Sequence, residues 1–244
     1  MELVTDDDGA RRVLGVHWCF VAFFVGIAGY YLINLVIAAA VNRNVGEFDP
    51  LELRDVGPLL LLAFVPNLLL GLGPVVGSWR WGHGLREDFG LVPTWRDVRI
   101  GLACGVLALV VGYLLNLMLI AVYGADDGSD SPLTDLADTF DGDTVWRILA
   151  AVIVIAGAPV TEELLVRGTL WKALSVHRIP SWVVLLLTAL LFAQLHGEPT
   201  RTIALFGQGI AIGLARHLSG RVSAGVIAHA ANNLPPAVLL FVAH

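Results

Sequence analysis

Apolar residues in this chain gather into seven runs, roughly 14–41, 57–78, 99–123, 145–171, 181–196, 202–218 and 222–243, with polar segments between them. A membrane-spanning helix needs about 20 mostly apolar residues. The pattern therefore predicts an all-α, polytopic integral membrane bundle of about seven transmembrane helices, between about six and eight, the fifth and sixth runs being short or polar-interrupted. The length of 244 residues suits a single membrane domain, with N-terminal helices and an acidic loop in 1–144 and polar-marked helices in 145–244. The first run is too long for a cleaved signal peptide and reads as a retained membrane segment.

The places where the apolar pattern breaks carry the chemistry. Glu162, Glu163 and Arg167 fall within six residues of the fourth run. A charged side chain near a helix centre costs about 2.5–3.5 kcal/mol, so such a cluster must be paired, hydrated or protonated, and by default it marks a working site. Pro159 precedes the acids and lacks a backbone N–H, which predicts a kink beside them. The fifth run ends with Phe192, Gln194 and His196, the sixth holds Gln208, and the seventh carries His229, Asn232 and Asn233 ahead of Pro235 and Pro236. The first three runs are nearly free of ionisable groups, with Asn34, Asn67 and Asn116 isolated. Function is thus expected in the C-terminal half.

Composition agrees with the spans. The chain is 57% hydrophobic and 15% charged, with a mean hydropathy of +0.76, against about 45–50% and about 25% for soluble domains. Cys19 and Cys104 fall in apolar runs, so no disulfide framework is expected. The net charge of -6 is uneven: Asp126, Asp127, Asp130, Asp135, Asp138, Asp141 and Asp143 form a loop without Lys or Arg, read as solvated. Positive residues collect in alternate loops. Ten of them (Arg11, Arg12, Arg80, Arg86, Arg96, Arg99, Lys172, Arg178, Arg216 and Arg221) fall on one side and three (Arg43, Arg54 and Arg201) on the other. The positive-inside rule then places the N-terminus in the cytoplasm and, with seven spans, the C-terminus outside. The acidic balance gives no basis for a nucleic-acid partner.

Helical spacing sorts the polar residues. Glu163 and Arg167 are four apart with the acid first, the favourable order for an ion pair, and read as structural. Glu162 lies about 100° round the helix and is left to face something else, either as a general base or as a second partner of Arg167. His229 and Asn233 are four apart and point one way, as two donors for a developing oxyanion; Asn232, at the three-residue spacing, fits that role as well. His196 shares a face with Phe192. His17, His83, His177, His217 and His244 sit near span ends or in loops and read as interfacial. Glu162, His196 and His229 also make a possible zinc set with an open fourth position, although no HExxH spacing is present. Gly101 with Gly105, and Gly209 with Gly213, form small-residue faces suited to close helix contact. One expectation conflicts with the rest. On straight helices, Glu162 lies about 25 Å below the outer end of its run and His196 about 22 Å above the inner end of the next, a depth difference of roughly half a bilayer.

Glu162-Glu163-x-x-x-Arg167, Phe192-x-x-x-His196 and His229-x-x-x-Asn233, in that order and 34 and 33 residues apart from Glu162 to His196 to His229, resemble the motif series of the CPBP family. That family comprises the CAAX prenyl proteases and the bacteriocin-processing intramembrane proteases. The resemblance covers about residues 145–240. It implies an intramembrane endopeptidase with a cavity between the motif-bearing helices. Glu162 and His196 would activate the attacking water, His229 and Asn233 would form the oxyanion hole, and Glu163 and Arg167 would orient the first glutamate. It further implies a membrane-associated or lipidated protein or peptide substrate, a lipid surround and the plasma membrane of a prokaryote. A divalent metal such as zinc and a metal-free, glutamate-activated water both remain open. Two other readings stand beside it: a non-catalytic immunity or scaffold protein, and a proton-coupled transporter, for which no internal repeat is evident.

Overall fold

The computed structural model describes residues 15–45, 56–124 and 144–242. The aspartates of the acidic loop, Arg11, Arg12, Arg54 and His244 lie outside them. The described residues form eight helices and no strand: α1 (Trp18–Val45), α2 (Val56–Trp81), α3 (Leu85–Phe89), α4 (Trp95–Tyr123), α5 (Thr144–Val176), α6 (Ser181–Leu195), α7 (Thr202–Ser219) and α8 (Val222–Val242). Seven follow the seven apolar runs; the five-residue α3 is an addition. The segments Trp18–Ala39, Trp95–Tyr123, Thr144–Val176 and Val222–Phe241 are long and apolar enough to cross a membrane, and α6 is a shorter apolar helix. The protein is an all-α polytopic membrane bundle.

Local chemistry sets the helix ends. Thr94 and Asp97 form a reciprocal capping box at the start of α4, with the Asp97 N–H donating to Thr94 Oγ1 and the Thr94 N–H donating to Asp97 Oδ2. Gly220 closes α7 at φ 77°, a left-handed conformation that glycine adopts without strain. Both small-residue faces are helix contacts. A Cβ at Gly105 would lie 2.6 Å from Ala231 Cβ, and one at Gly101 2.7 Å from Ile227 Cβ, so α4 meets α8 there. Gly213 and Gly209 do the same for α7 against Leu185 and Ala189 of α6. Arg43, expected in a loop, falls instead in the last turns of α1.

One end of the bundle is tied by charge. Asp88 of α3 accepts hydrogen bonds from Lys172 Nζ (2.9 Å), Ser78 Oγ (2.7 Å) and the His83 N–H (2.8 Å). Asp97 pairs with Arg221 Nε at 3.0 Å, and Arg96 Nη2 donates to the Leu218 carbonyl. These contacts gather the ends of α2, α4, α5 and α7 and the start of α8, the same ends that the count of positive residues assigns to one side.

The expected depth conflict disappears. The fourth span does not stop near residue 171 but continues to Val176. At 1.5 Å per residue Glu162 sits about 21 Å from that end. The 15-residue α6 starts just after the intervening turn and brings His196 to about 22 Å from the same level. At about 48 Å, α5 is longer than the roughly 30 Å hydrocarbon layer, so its outer end is no reference for depth.

Candidate active site

The predicted kink on α5 takes another form. Two π-helical stretches, Ile153–Gly157 and Leu164–Leu170, flank the α-helical turn Ala158–Glu163 that carries Pro159 and both acids. Such widened turns recur at functional sites. In the first, the Ala158 N–H donates five residues back, to Ile153. By the same register Val154 would receive the N–H of residue 159, which is a proline and has none. The Val154 carbonyl is therefore free.

Glu163 and Arg167 form the ion pair that their spacing predicts. Arg167 Nη1 donates to Glu163 Oε1 at 2.7 Å, and both side chains are fully buried. Arg167 Nη2 donates to the Gly209 carbonyl at 2.8 Å, and the guanidinium lies 4.7 Å from the centre of the Phe192 ring. Gly225 leaves room for the carboxylate, because a Cβ there would fall 2.6 Å from Glu163 Oε2. The pair thereby joins α5, α6, α7 and α8 in one buried knot.

Glu162 turns elsewhere, towards α2. Asn67 Nδ2 donates to Glu162 Oε1 at 3.4 Å. One helical turn along, α2 comes so close to α5 that a Cβ at Gly71 would lie 2.8 Å from Thr161 Cγ2. This glycine contact brings Asn67 within reach of the carboxylate. The expectation that Asn67 is isolated and that the first three spans stay out of the site is corrected here.

The histidines come from α8 and from the end of α6. His196 Nδ1 lies 2.8 Å from the Phe192 carbonyl oxygen, so that nitrogen carries the proton and donates, leaving Nε2 with its lone pair. His229 is buried, with Nδ1 3.3 Å from Glu163 Oε1, which leaves Nε2 as its free ring nitrogen. Phe192 packs against both rings, at centroid distances of 4.5 Å and 5.2 Å.

Spacing left Asn232 and Asn233 as alternatives, and the fold uses both. Gln208 Nε2 donates to Asn232 Oδ1 (3.3 Å), Asn232 Nδ2 donates to Asn233 Oδ1 (3.2 Å), and Asn233 Nδ2 donates to the free Val154 carbonyl (3.0 Å). Each asparagine keeps a second amide N–H that the described residues do not use.

Glu162, His196, His229, Asn232 and Asn233 all line one cavity of about 600 Å³. Phe64 of α2, Tyr113 and Asn116 of α4, and Gln208 of α7 complete its wall, with Glu198 and Arg201 (ion-paired at 2.6 Å) towards the α6–α7 turn. Tyr113 and Leu239 line the cavity and are also exposed, so it reaches the bundle surface. The buried Asn116 Oδ1 accepts no hydrogen bond from a described residue. Glu163 and Arg167 stand behind this wall. Among the described residues no three His, Cys, Asp or Glu side chains converge to hold a metal ion, so Glu162, His196 and His229 are not arranged as a ligand set.

Residues 144–235 match the family model for the Rce1-like type II CAAX prenyl endopeptidases. The matched segment is the chain from the start of α5 to the first proline of α8, and it carries all three motifs. Comparison with curated proteins and with solved structures gives no match. The Rce1-like segment supports, in general terms, a CAAX-type intramembrane endopeptidase acting on a membrane-associated protein or peptide.

Proposed function

We propose that this protein hydrolyses a peptide bond of a membrane-associated or lipidated protein or peptide inside the bundle, using water activated by Glu162 and His196. The carboxylate takes a proton from the water as its oxygen attacks the substrate carbonyl. His196 Nε2 faces the same reaction, its tautomer set by the Nδ1 bond to Phe192. An N–H at His229 Nε2 and the unused Asn233 amide N–H donate to the tetrahedral oxyanion and stabilise it. The C–N bond then breaks and the proton passes to the departing amine.

The observation that carries this reading is convergence. Three helices separated in sequence bring Glu162, His196, His229 and Asn233 to one cavity, within the segment that matches the endopeptidase model. Its volume falls within the range of small-ligand sites, roughly 300–1,000 Å³, which is room for a short stretch of peptide. The Glu163–Arg167 pair acts as support: it fixes the helix turn beside Glu162 and contacts His229 from behind. The loop charges favour an orientation with the N-terminus in the cytoplasm.

The test compares membranes carrying the wild-type chain, Glu162→Ala or His196→Ala, with peptide products read by mass spectrometry. Loss of a general base costs about 10²–10⁴-fold in rate, so both variants are expected to lose detectable products. Undiminished cleavage by either one would overturn the mechanism.

A further inference from the structure

At the N-terminal end of α4, a groove of about 480 Å³ runs between that helix and the end of α7. Its floor is apolar, made by Ile100, Ala103 and Cys104 of α4 with Leu218 of α7, and its rim carries Arg96, Arg99 and Trp95. Arg96 uses one nitrogen on the Leu218 carbonyl and keeps its other donors. Arg99 makes no hydrogen bond or ion pair to another described residue and is exposed. The nearby acid, Asp97, is fully buried and already engaged by Arg221 and Thr94, so it does not neutralise this rim. Trp95, 74% exposed, stands at the helix start, where an amphipathic ring belongs at the headgroup level.

We infer that this groove holds one anionic glycerophospholipid, with an acyl chain along Ile100, Ala103 and Cys104 and the headgroup phosphate between Arg96 and Arg99. Charge complementarity commits the site to that occupant. Two guanidinium groups present planar donors matched to phosphate oxygens, while the apolar floor has no use for a soluble anion. Arginines that merely snorkel to the interface would meet headgroups of any kind without a fixed count. A built site instead takes one lipid and prefers negative charge. The inference does not depend on catalysis, because none of these residues lines the cavity holding Glu162.

Native mass spectrometry of the full chain in detergent tests it, titrating phosphatidylglycerol and phosphatidylcholine with matched acyl chains. The expected result is one tightly held phosphatidylglycerol, preferred over phosphatidylcholine. Arg99→Ala removes a side chain that bonds no described residue and should weaken phosphatidylglycerol about fivefold; Arg96→Ala with Arg99→Ala should weaken it about 25-fold. Ala103→Trp keeps both charges, fills the exposed floor and should also abolish the tight class, whereas Arg86→Ala outside the groove should leave it intact. Equal binding of the two lipids, or wild-type phosphatidylglycerol binding by Arg99→Ala or by Ala103→Trp, would overturn the site.

Discussion

Arg167→Met should destabilise the bundle severely. The wild-type guanidinium is fully buried, pairs with Glu163 at 2.7 Å, donates to the Gly209 carbonyl at 2.8 Å and stacks on Phe192. Methionine replaces much of the aliphatic stem, so the lost volume is a minor part of the effect. What remains is a buried Glu163 carboxylate with only His229 Nδ1 beside it, at 3.3 Å. Removing one partner of a buried pair costs about 3–5 kcal/mol, because the other charge is stranded. The Gly209 carbonyl also loses its side-chain donor, adding roughly 1 kcal/mol. For a chain of this size the first contribution alone corresponds to a fall in Tm of about 6–20 °C.

The assay is thermal unfolding of the purified protein in detergent, followed by circular dichroism. A second variant separates charge from packing. Glu163→Gln in the Arg167→Met background removes the stranded charge and should recover about half of the loss, with a coupling of roughly 2 kcal/mol between the two positions. If Arg167→Met stayed within about 0.5 kcal/mol of wild type, or if the two substitutions were additive, the pair would not be the structural knot described here.

Three further outcomes follow from the same geometry. Asn67→Leu deletes the only hydrogen bond that the described residues give Glu162; steady-state kinetics should show kcat about 5–10-fold lower and KM little changed. Burial pushes the Asp88 carboxyl up, but the bonds from Lys172, Ser78 and the His83 N–H outweigh it and hold the group below its ordinary value of 3.8. Its stabilisation is therefore present at neutral pH and lost as pH falls below about 4; Tm measured against pH should drop there in the wild type and flatten in Asp88→Asn. Because no three donors converge as ligands among the described residues, peptide cleavage by purified protein should survive dialysis against EDTA, and loss that zinc restores would contradict this.

The bundle was legible because lipid imposes one simple demand, about 20 apolar residues per span; four long helices meet it in full, and α6, at 15 residues, still reads as an apolar run. The Glu163–Arg167 pair was legible for a related reason: a four-residue separation fixes geometry within a single helix. Contacts between helices carry no such rule. Asn67 reaches Glu162 across 95 residues of chain, and nothing in its surroundings on α2 distinguishes it from an asparagine facing elsewhere. The length of α5 was hidden for another reason. Lys172 ends the apolar run, yet the helix continues because protein rather than lipid receives the charge, through Asp88.

The two asparagines show where a signal existed and what it needed. Helical spacing placed both near His229 and stopped there. Pro159 held the rest of the information, since a proline frees a carbonyl four or five residues before it and a buried free carbonyl requires a donor. Only the register of the turn decides which carbonyl that is. The π-helical turn selects Val154, Val154 takes Asn233, and Gln208 takes Asn232. The proline, the wide turn and the two asparagines thus form one device. In the proposed mechanism it would hold the Asn233 amide still, since a donor already bonded on one side has less freedom to lose when charge develops on the other.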